Sequence, residues 1–232
     1  MNKLSRFTNL TERFNKNYFE KIAWEKKQVV CGIDEVGRGC LAGPLVTAAV
    51  ILPEGKAHRL LKDSKVMTLE ERLAAYKWIT KNCYYGYGIV NHRIIDSHNI
   101  WQATLIAMKK ALMHLLATCP RQPSAVLVDA MPLNLFDTGY KDIPVHYFPF
   151  GESKSSSIAA ASIIAKVKRD ALMGKIDALF PGYSLKDHKG YGTPGHKKVL
   201  YSADYSLIHR QTFVKRLMMG TTESDDGQQS IF

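Results

Sequence analysis

QVVCGIDEVGRG, residues 28–39, is the stretch on which the architecture turns. Its apolar half, VVCGI, is bounded on one side by polar residues and on the other by Asp34 and Glu35. A short apolar run of this kind reads as a buried strand. The strand delivers two carboxylates at its end, at the rim of a core where unpaired charge is costly. The turn GRGCLAGP follows, and LVTAAVIL, 45–52, reads as a second strand stopped by Pro53. Further along, SAVLVDA, 124–130, repeats the pattern and ends on Asp129.

Outward from these strands the chain alternates. Leu10, Phe14, Tyr18 and Ile22 recur every four residues and predict a helix over 8–26. Thr68 with Glu71 has capping-box spacing, predicting a helix to about Asn82. CYYGYGIV, 83–90, is a third strand. Asp96 or Ser97 can cap a long helix through Thr118, ended by Pro120. IPVHYFPF, 143–150, is another strand. The Ala-, Ile- and Lys-rich stretch 155–180 is a helix. HKGYGTPGH, 188–196, is a loop with a short helix after it, and the tail from Gly220 is polar and expected to be disordered. This order predicts an α/β fold with a mixed sheet, a single domain over 1–219 and a flexible tail over 220–232. In such sheets ligands gather at the C-terminal ends of strands.

The 232 residues carry 32 Lys and Arg against 21 Asp and Glu, a net charge of +11. That excess suits a polyanion, nucleic acid first, although a solvated basic surface would give the same count. The four cysteines, Cys31, Cys40, Cys83 and Cys119, have no CxxC spacing, and most of them read as buried thiols of a reducing compartment. No apolar stretch has signal-peptide or membrane-span length, so a soluble, cytoplasmic protein without membrane contact is expected; a monomer is expected as well.

Asp34, Glu35 and Asp129 brought to one sheet end would repel one another unless a cation neutralises them. Oxygen-only ligands select hard divalent ions, Mg²⁺ or Mn²⁺, and no His/Cys cluster argues for zinc. A solvated turn with two acids is the plain alternative. Two such cations about 4 Å apart would suit phosphodiester hydrolysis.

GIDEVGRG with LAGPLV, DSK (63–65), DSHNI (96–100), LVDA, GES, SIAAASIIAKVKRD and HKGYGT, in that order and spacing, resemble the ribonuclease HII family. The match covers most of residues 28–213. The resemblance implies a ribonuclease H-like, mixed five-stranded sheet flanked by helices with a C-terminal helical and loop extension. It also implies four catalytic, metal-binding carboxylates: Asp34, Glu35, Asp129 and, in GES, Glu152. The family usually has Asp at the last place, so Glu152 is one methylene longer. Asp170 is a second candidate there, against an ion pair with Lys166 or Lys168, which is the preferred reading. Cys40 replaces a common proline, Met131-Pro132 a frequent glycine, and the usual Gly-Pro before His209-Arg210 is missing.

Glycines 37 and 39 let backbone groups approach a sugar-phosphate, and Arg38 can pair with a phosphate. A plain tight turn is one alternative; a dinucleotide-binding loop is another, but GRGCLAG lacks the G-x-G-x-x-G spacing and the two acids before it would repel a pyrophosphate. The family's tyrosine at the place of Tyr191 stacks on the sugar and, with the Gly-Arg-Gly turn, senses the ribonucleotide junction. The alternative is a loop aromatic packed on the core. Lys65, Asn99, Ser153, Lys166, His188 and Lys189 are candidate phosphate contacts, which position a duplex without reading sequence. The implied activity is cleavage of RNA–DNA hybrids and of duplex DNA on the 5′ side of an embedded ribonucleotide. A non-catalytic duplex binder and a nuclease of other substrate choice are the alternatives. Gln228, Ile231 and Phe232 in the last five residues resemble the pentapeptide that binds the bacterial sliding clamp; a tail docked on the protein's own surface is the alternative.

Overall fold

The structure, a computed structural model, describes residues 15–202 and 205–220. Strands β1 (Val30–Val36), β2 (Leu45–Ile51) and β3 (Tyr84–Val90) form an antiparallel meander. β4 (Ala125–Asp129) joins β1 in parallel, and β5 (Val145–Phe148) joins β4 in parallel, giving the order β3-β2-β1-β4-β5. This is the expected mixed five-stranded sheet.

Helix α1 (Tyr18–Glu25) precedes the sheet. Helix α2 (Leu69–Asn82) follows a short 3₁₀ turn, Ser64–Val66, and α3 (His92–Thr118) follows β3. A single helical turn, α4 (Gly151–Lys154), leads into α5 (Ser156–Asp177). Short helices α6 (Leu185–His188), α7 (Pro194–Ser202) and α8 (Gln211–Met218) complete the chain.

Alternation along the strands divides the core in two. Cys31, Ile33, Ala49 and Val128 face Met108, Ala111, Leu112 and Leu115 of α3. Val46, Ala48 and Val50 face the alanine and isoleucine stripe of α5, with Ala75 and Ile79 of α2. Gly32 lets α5 lie directly on β1: a Cβ there would stand 2.2 Å from the Ser157 backbone. That close approach brings α5 over the carboxylate end of β1.

Several local expectations hold. Thr68 and Glu71 form the capping box of α2. Others are displaced by tertiary contacts. Asn15 to Asn17 are not helical, because Asn17 (φ 64) donates its N–H to the Lys154 carbonyl and accepts the Ser156 N–H on its side-chain oxygen. Residues 8–14 of that predicted helix lie outside the described residues. Asn91, not Asp96 or Ser97, caps α3. Asp96 instead accepts the Gln211 and Thr212 N–H groups (2.9 and 3.0 Å) and so caps α8, far along the chain. α3 also breaks at Asn99 (φ 63), whose side chain accepts the Gln102 N–H and restarts the helix. α5 ends at Asp177, and the loop before α7 closes sooner than expected, at Pro194. Cys31 and Cys40 are buried, while Cys83 and Cys119 are half-buried; all four are free thiols.

Candidate active site

Parallel pairing of β1 with β4 ends at Ile33 opposite Val128. One step further stand Asp34 and Asp129, on the α5 face. Glu35 points to the other face, since its partner Thr47 bonds the Ala107 carbonyl of α3 (2.7 Å). The third element is α4, entered through Phe150 in the left-handed region (φ 59). There the Gly151 N–H donates to Asp129 Oδ1 (2.7 Å), and a Cβ on Gly151 would lie 3.0 Å from that oxygen. The same turn presents Glu152, whose Oε1 accepts from Ser162 Oγ of α5 (2.5 Å). Ser162 is bonded in turn to Ser64 (2.8 Å). All four predicted carboxylates therefore gather at one end of the sheet.

Their environment is costly for charge. Burial raises Asp34 well above the carboxylate range, and Glu35, Asp129 and Glu152 push the same way. Burial raises Glu35 to about 7 against the pull of Arg38. Asp129 and Glu152 are also raised by burial, opposed by the Gly151 N–H and by Ser162 respectively. Two cations offset the cluster at its rim: Arg38 lies 3.7 Å from Glu35 and Lys65 lies 3.6 Å from Glu152. Burial would lower Lys65, but Glu152, Asp34, Asp63 and Asp129 outweigh it and raise it. Glu35 Oε2 is buried without a hydrogen-bond partner.

These features fit hard divalent cations. The donors are carboxylate oxygens alone, they repel one another, and one buried oxygen has nothing to bond. Among the described residues no three acids, histidines or cysteines already form a closed ligand group.

The remaining predicted residues divide. Gly37 (φ 102), Arg38 and Gly39 form the turn beside Glu35. Tyr191, 39% exposed, pairs through its backbone with Cys40, so it stands next to that turn. Lys166 is held by Asp170 (2.9 Å), the ion pair preferred over a ligand role for Asp170. The Ser153 hydroxyl donates to the Phe150 carbonyl, and Lys189 Nζ donates to the Lys186 carbonyl. Asn99 is spent on restarting α3. His188 turns inward, with Nε2 on the Tyr183 carbonyl (2.7 Å), Nδ1 accepting the Gly190 N–H (3.1 Å), and its ring stacked on His196. Lys65 is thus exposed and Arg38 half-exposed at the rim of the acids, whereas His188 is turned inward. Gln228, Ile231 and Phe232 lie outside the described residues.

Sequence reading missed Ser162, which positions Glu152, and the buried arginines Arg169 and Arg210. Arg169 was legible: it falls on the apolar stripe Ala165–Arg169–Met173, at helical spacing, where a charge needs a reason.

Residues 31–217 match a family model described as Ribonuclease HII. Ribonuclease HII of Lactobacillus delbrueckii subsp. bulgaricus is 44% identical over 196 residues, 84% of this chain and 73% of that protein. That of Lacticaseibacillus paracasei is 43% identical over 202 residues, 85% of this chain and 75% of that protein. Among solved structures, ribonuclease H2 from Pyrococcus horikoshii superposes with a TM-score of 0.65 at 24% identity, over 83% of this chain and 98% of that one. The RNase HII of the PCNA:RNase HII complex from Archaeoglobus fulgidus gives 0.63 at 24%, over 79% and 94%. Bst-RNase HIII in complex with Mn²⁺ gives 0.57 at 22%, over 78% and 73%. The structural likeness extends to the fold.

Proposed function

Because the chain belongs to the ribonuclease HII family, it is a type II ribonuclease H, and we propose that it cuts RNA–DNA hybrids and duplex DNA 5′ to an embedded ribonucleotide. The products would carry 3′-OH and 5′-phosphate ends. The observation that carries the proposal is the convergence of Asp34, Glu35, Asp129 and Glu152 from β1, β4 and α4, with a buried Glu35 oxygen lacking any partner. These four residues would hold a pair of divalent cations, Mn²⁺ or Mg²⁺; the solved neighbour Bst-RNase HIII is an Mn²⁺ complex. Such ions, when bound, activate a water and stabilise the leaving oxygen.

The chain's own groups do the rest. Ser162 fixes one oxygen of Glu152 by a hydrogen bond, and Lys65 lies 3.6 Å from the other. Arg38 and Lys65 offer positive charge at the rim of the acids, where a phosphodiester must approach. The turn Gly37–Gly39 and Tyr191 stand side by side, one able to meet the sugar-phosphate with its backbone and the other with its ring. The proposal includes a cytoplasmic monomer whose catalytic unit spans residues 1–219.

The test is a DNA duplex containing one ribonucleotide, incubated with Mg²⁺ or Mn²⁺ beside an all-DNA duplex. Cutting confined to the ribonucleotide is expected; cutting of both duplexes, or of neither, overturns the reading. Tyr191→Ala should cost about tenfold more on the single ribonucleotide than on a long hybrid, the scale of one stacking contact. Equal losses on the two substrates would make Tyr191 structural.

For the tail we infer a sliding-clamp partner, engaged by Gln228, Ile231 and Phe232. The support is the motif and the fact that the Archaeoglobus neighbour was solved with PCNA. Deleting residues 228–232 should leave cleavage of short duplexes unchanged and abolish clamp binding. Calorimetry at tens of micromolar that finds no binding by the intact chain removes the idea, since short motifs of this kind bind near micromolar.

A further inference from the structure

Arg169 of α5 and Arg210, just before α8, are both 0% exposed. Burying a guanidinium is costly unless its donors are met. Here the partners are main-chain carbonyls. Arg169 donates to Pro44 (2.9 Å), Lys189 (2.8 Å) and Ala42 (3.3 Å). Arg210 donates to Gly37 (2.7 Å), Arg38 (2.7 Å) and, from two nitrogens, Gly43 (3.1 and 3.0 Å). The carbonyls belong to the segment Gly37–Pro44 and to the loop just before Tyr191. Burial, with the charge of Arg169 adding to it, pushes Arg210 down to about 10, a cost the fold nonetheless carries.

The geometry of the peptide group gives this arrangement a consequence. In a trans peptide the C=O of one residue and the N–H of the next point in opposite directions. Among the described residues there are no cis peptides. With the Gly37 and Arg38 carbonyls drawn inward to Arg210, the N–H groups of Arg38 and Gly39 face away from it. Gly39 is exposed, and nothing lies within 4 Å of where its Cβ would stand. The turn rests on the second arginine too: a Cβ on Gly37 would meet Arg169 Nε at 2.2 Å. Two successive amides aimed outward, with buried cations behind them, form an oxygen-binding nest. A guanidinium on the carbonyl side of a peptide also strengthens that peptide's N–H as a donor. Lysine could not reproduce this, because it lacks the planar fork that reaches several carbonyls at once.

We propose that Arg210, backed by Arg169, is a positioning residue for ribonucleotide recognition, turning the Arg38 and Gly39 amides toward an oxygen of the bound ribose-phosphate. The inference rests on the ribonucleotide reading given above and adds the device that aims the turn.

Binding is measured by fluorescence anisotropy in an Asp34→Asn background, for a duplex with one ribonucleotide and for the all-DNA duplex. The parent is expected to prefer the ribonucleotide duplex by about tenfold, the scale of one hydrogen bond. Arg210→Lys should bring the two affinities to within about twofold while leaving all-DNA binding nearly unchanged. Gly39→Pro, which deletes an outward N–H and leaves Arg210 intact, should lose the same preference. A purely structural Arg210 would lower the melting temperature without moving the ratio of affinities. Should Arg210→Lys fail to fold, Gly39→Pro decides. A preference retained in the folded variants overturns the inference alone; a parent with no preference overturns it together with the ribonucleotide reading.

Discussion

Asp34→Asn or Asp129→Asn is expected to reduce turnover on a ribonucleotide-containing duplex by about 10³-fold or more, with the fold intact. An amide oxygen is a weak ligand for a hard divalent cation, so each substitution removes charge where metal binding needs it. The local structure tolerates both changes. Asp34 Oδ1 accepts the Glu35 N–H (2.7 Å) and Asp129 Oδ1 accepts the Gly151 N–H (2.7 Å), and an asparagine oxygen can do the same. Near-wild-type turnover in either variant would sink the metal assignment.

The same substitution has a second, opposite signature in protein stripped of metal. Burial and the neighbouring acids raise Asp34, so the folded state binds its proton more tightly than the unfolded chain does. Glu35 moves likewise, from 4.5 to about 7. Stability carried by such groups is present at low pH and is lost as pH rises from the unfolded value through the folded one. Metal-free Asp34→Asn should therefore melt higher than the parent at about pH 8, and the difference should shrink toward about pH 4. Scanning calorimetry in a chelator reads this directly. An unchanged or lower melting temperature at the higher pH would show that Asp34 is not under electrostatic strain.

Glu152→Gln should lose about 10²-fold or more, whereas Asp170→Asn should stay within about threefold of the parent. Glu152 is buried, bonded to Ser162 and beside Lys65, on a turn that is itself fastened to Asp129 through Gly151. Asp170 is paired with Lys166 one helical turn away, the geometry of an ordinary i,i+4 surface pair. Glu152→Asp should remain active, since it keeps the charge while shortening the reach to Ser162. Steady-state cleavage of the same ribonucleotide duplex separates the three variants. If Asp170→Asn proves the more damaging, the fourth acid has been misplaced.

The sequence by itself determined whatever rests on local pattern. The apolar runs ending in Asp34 and Asp129, the capping box at Thr68, and the Lys166–Asp170 spacing could all be read directly, because each depends on neighbours within a turn or a strand. The sheet's mixed character followed from the order of those elements. Only the tertiary structure decided what distant segments do to one another. It set Asp34 beside Asp129, through the parallel register of β1 and β4. It turned Asp96 from a cap of its own helix into the cap of α8, and drew His188 inward onto His196. It also placed Arg210 under a turn more than a hundred and seventy residues earlier in the chain. A side chain's hydrogen-bonding capacity is written in its chemistry, but which of several competing partners satisfies it is settled by the packing that brings one of them within reach.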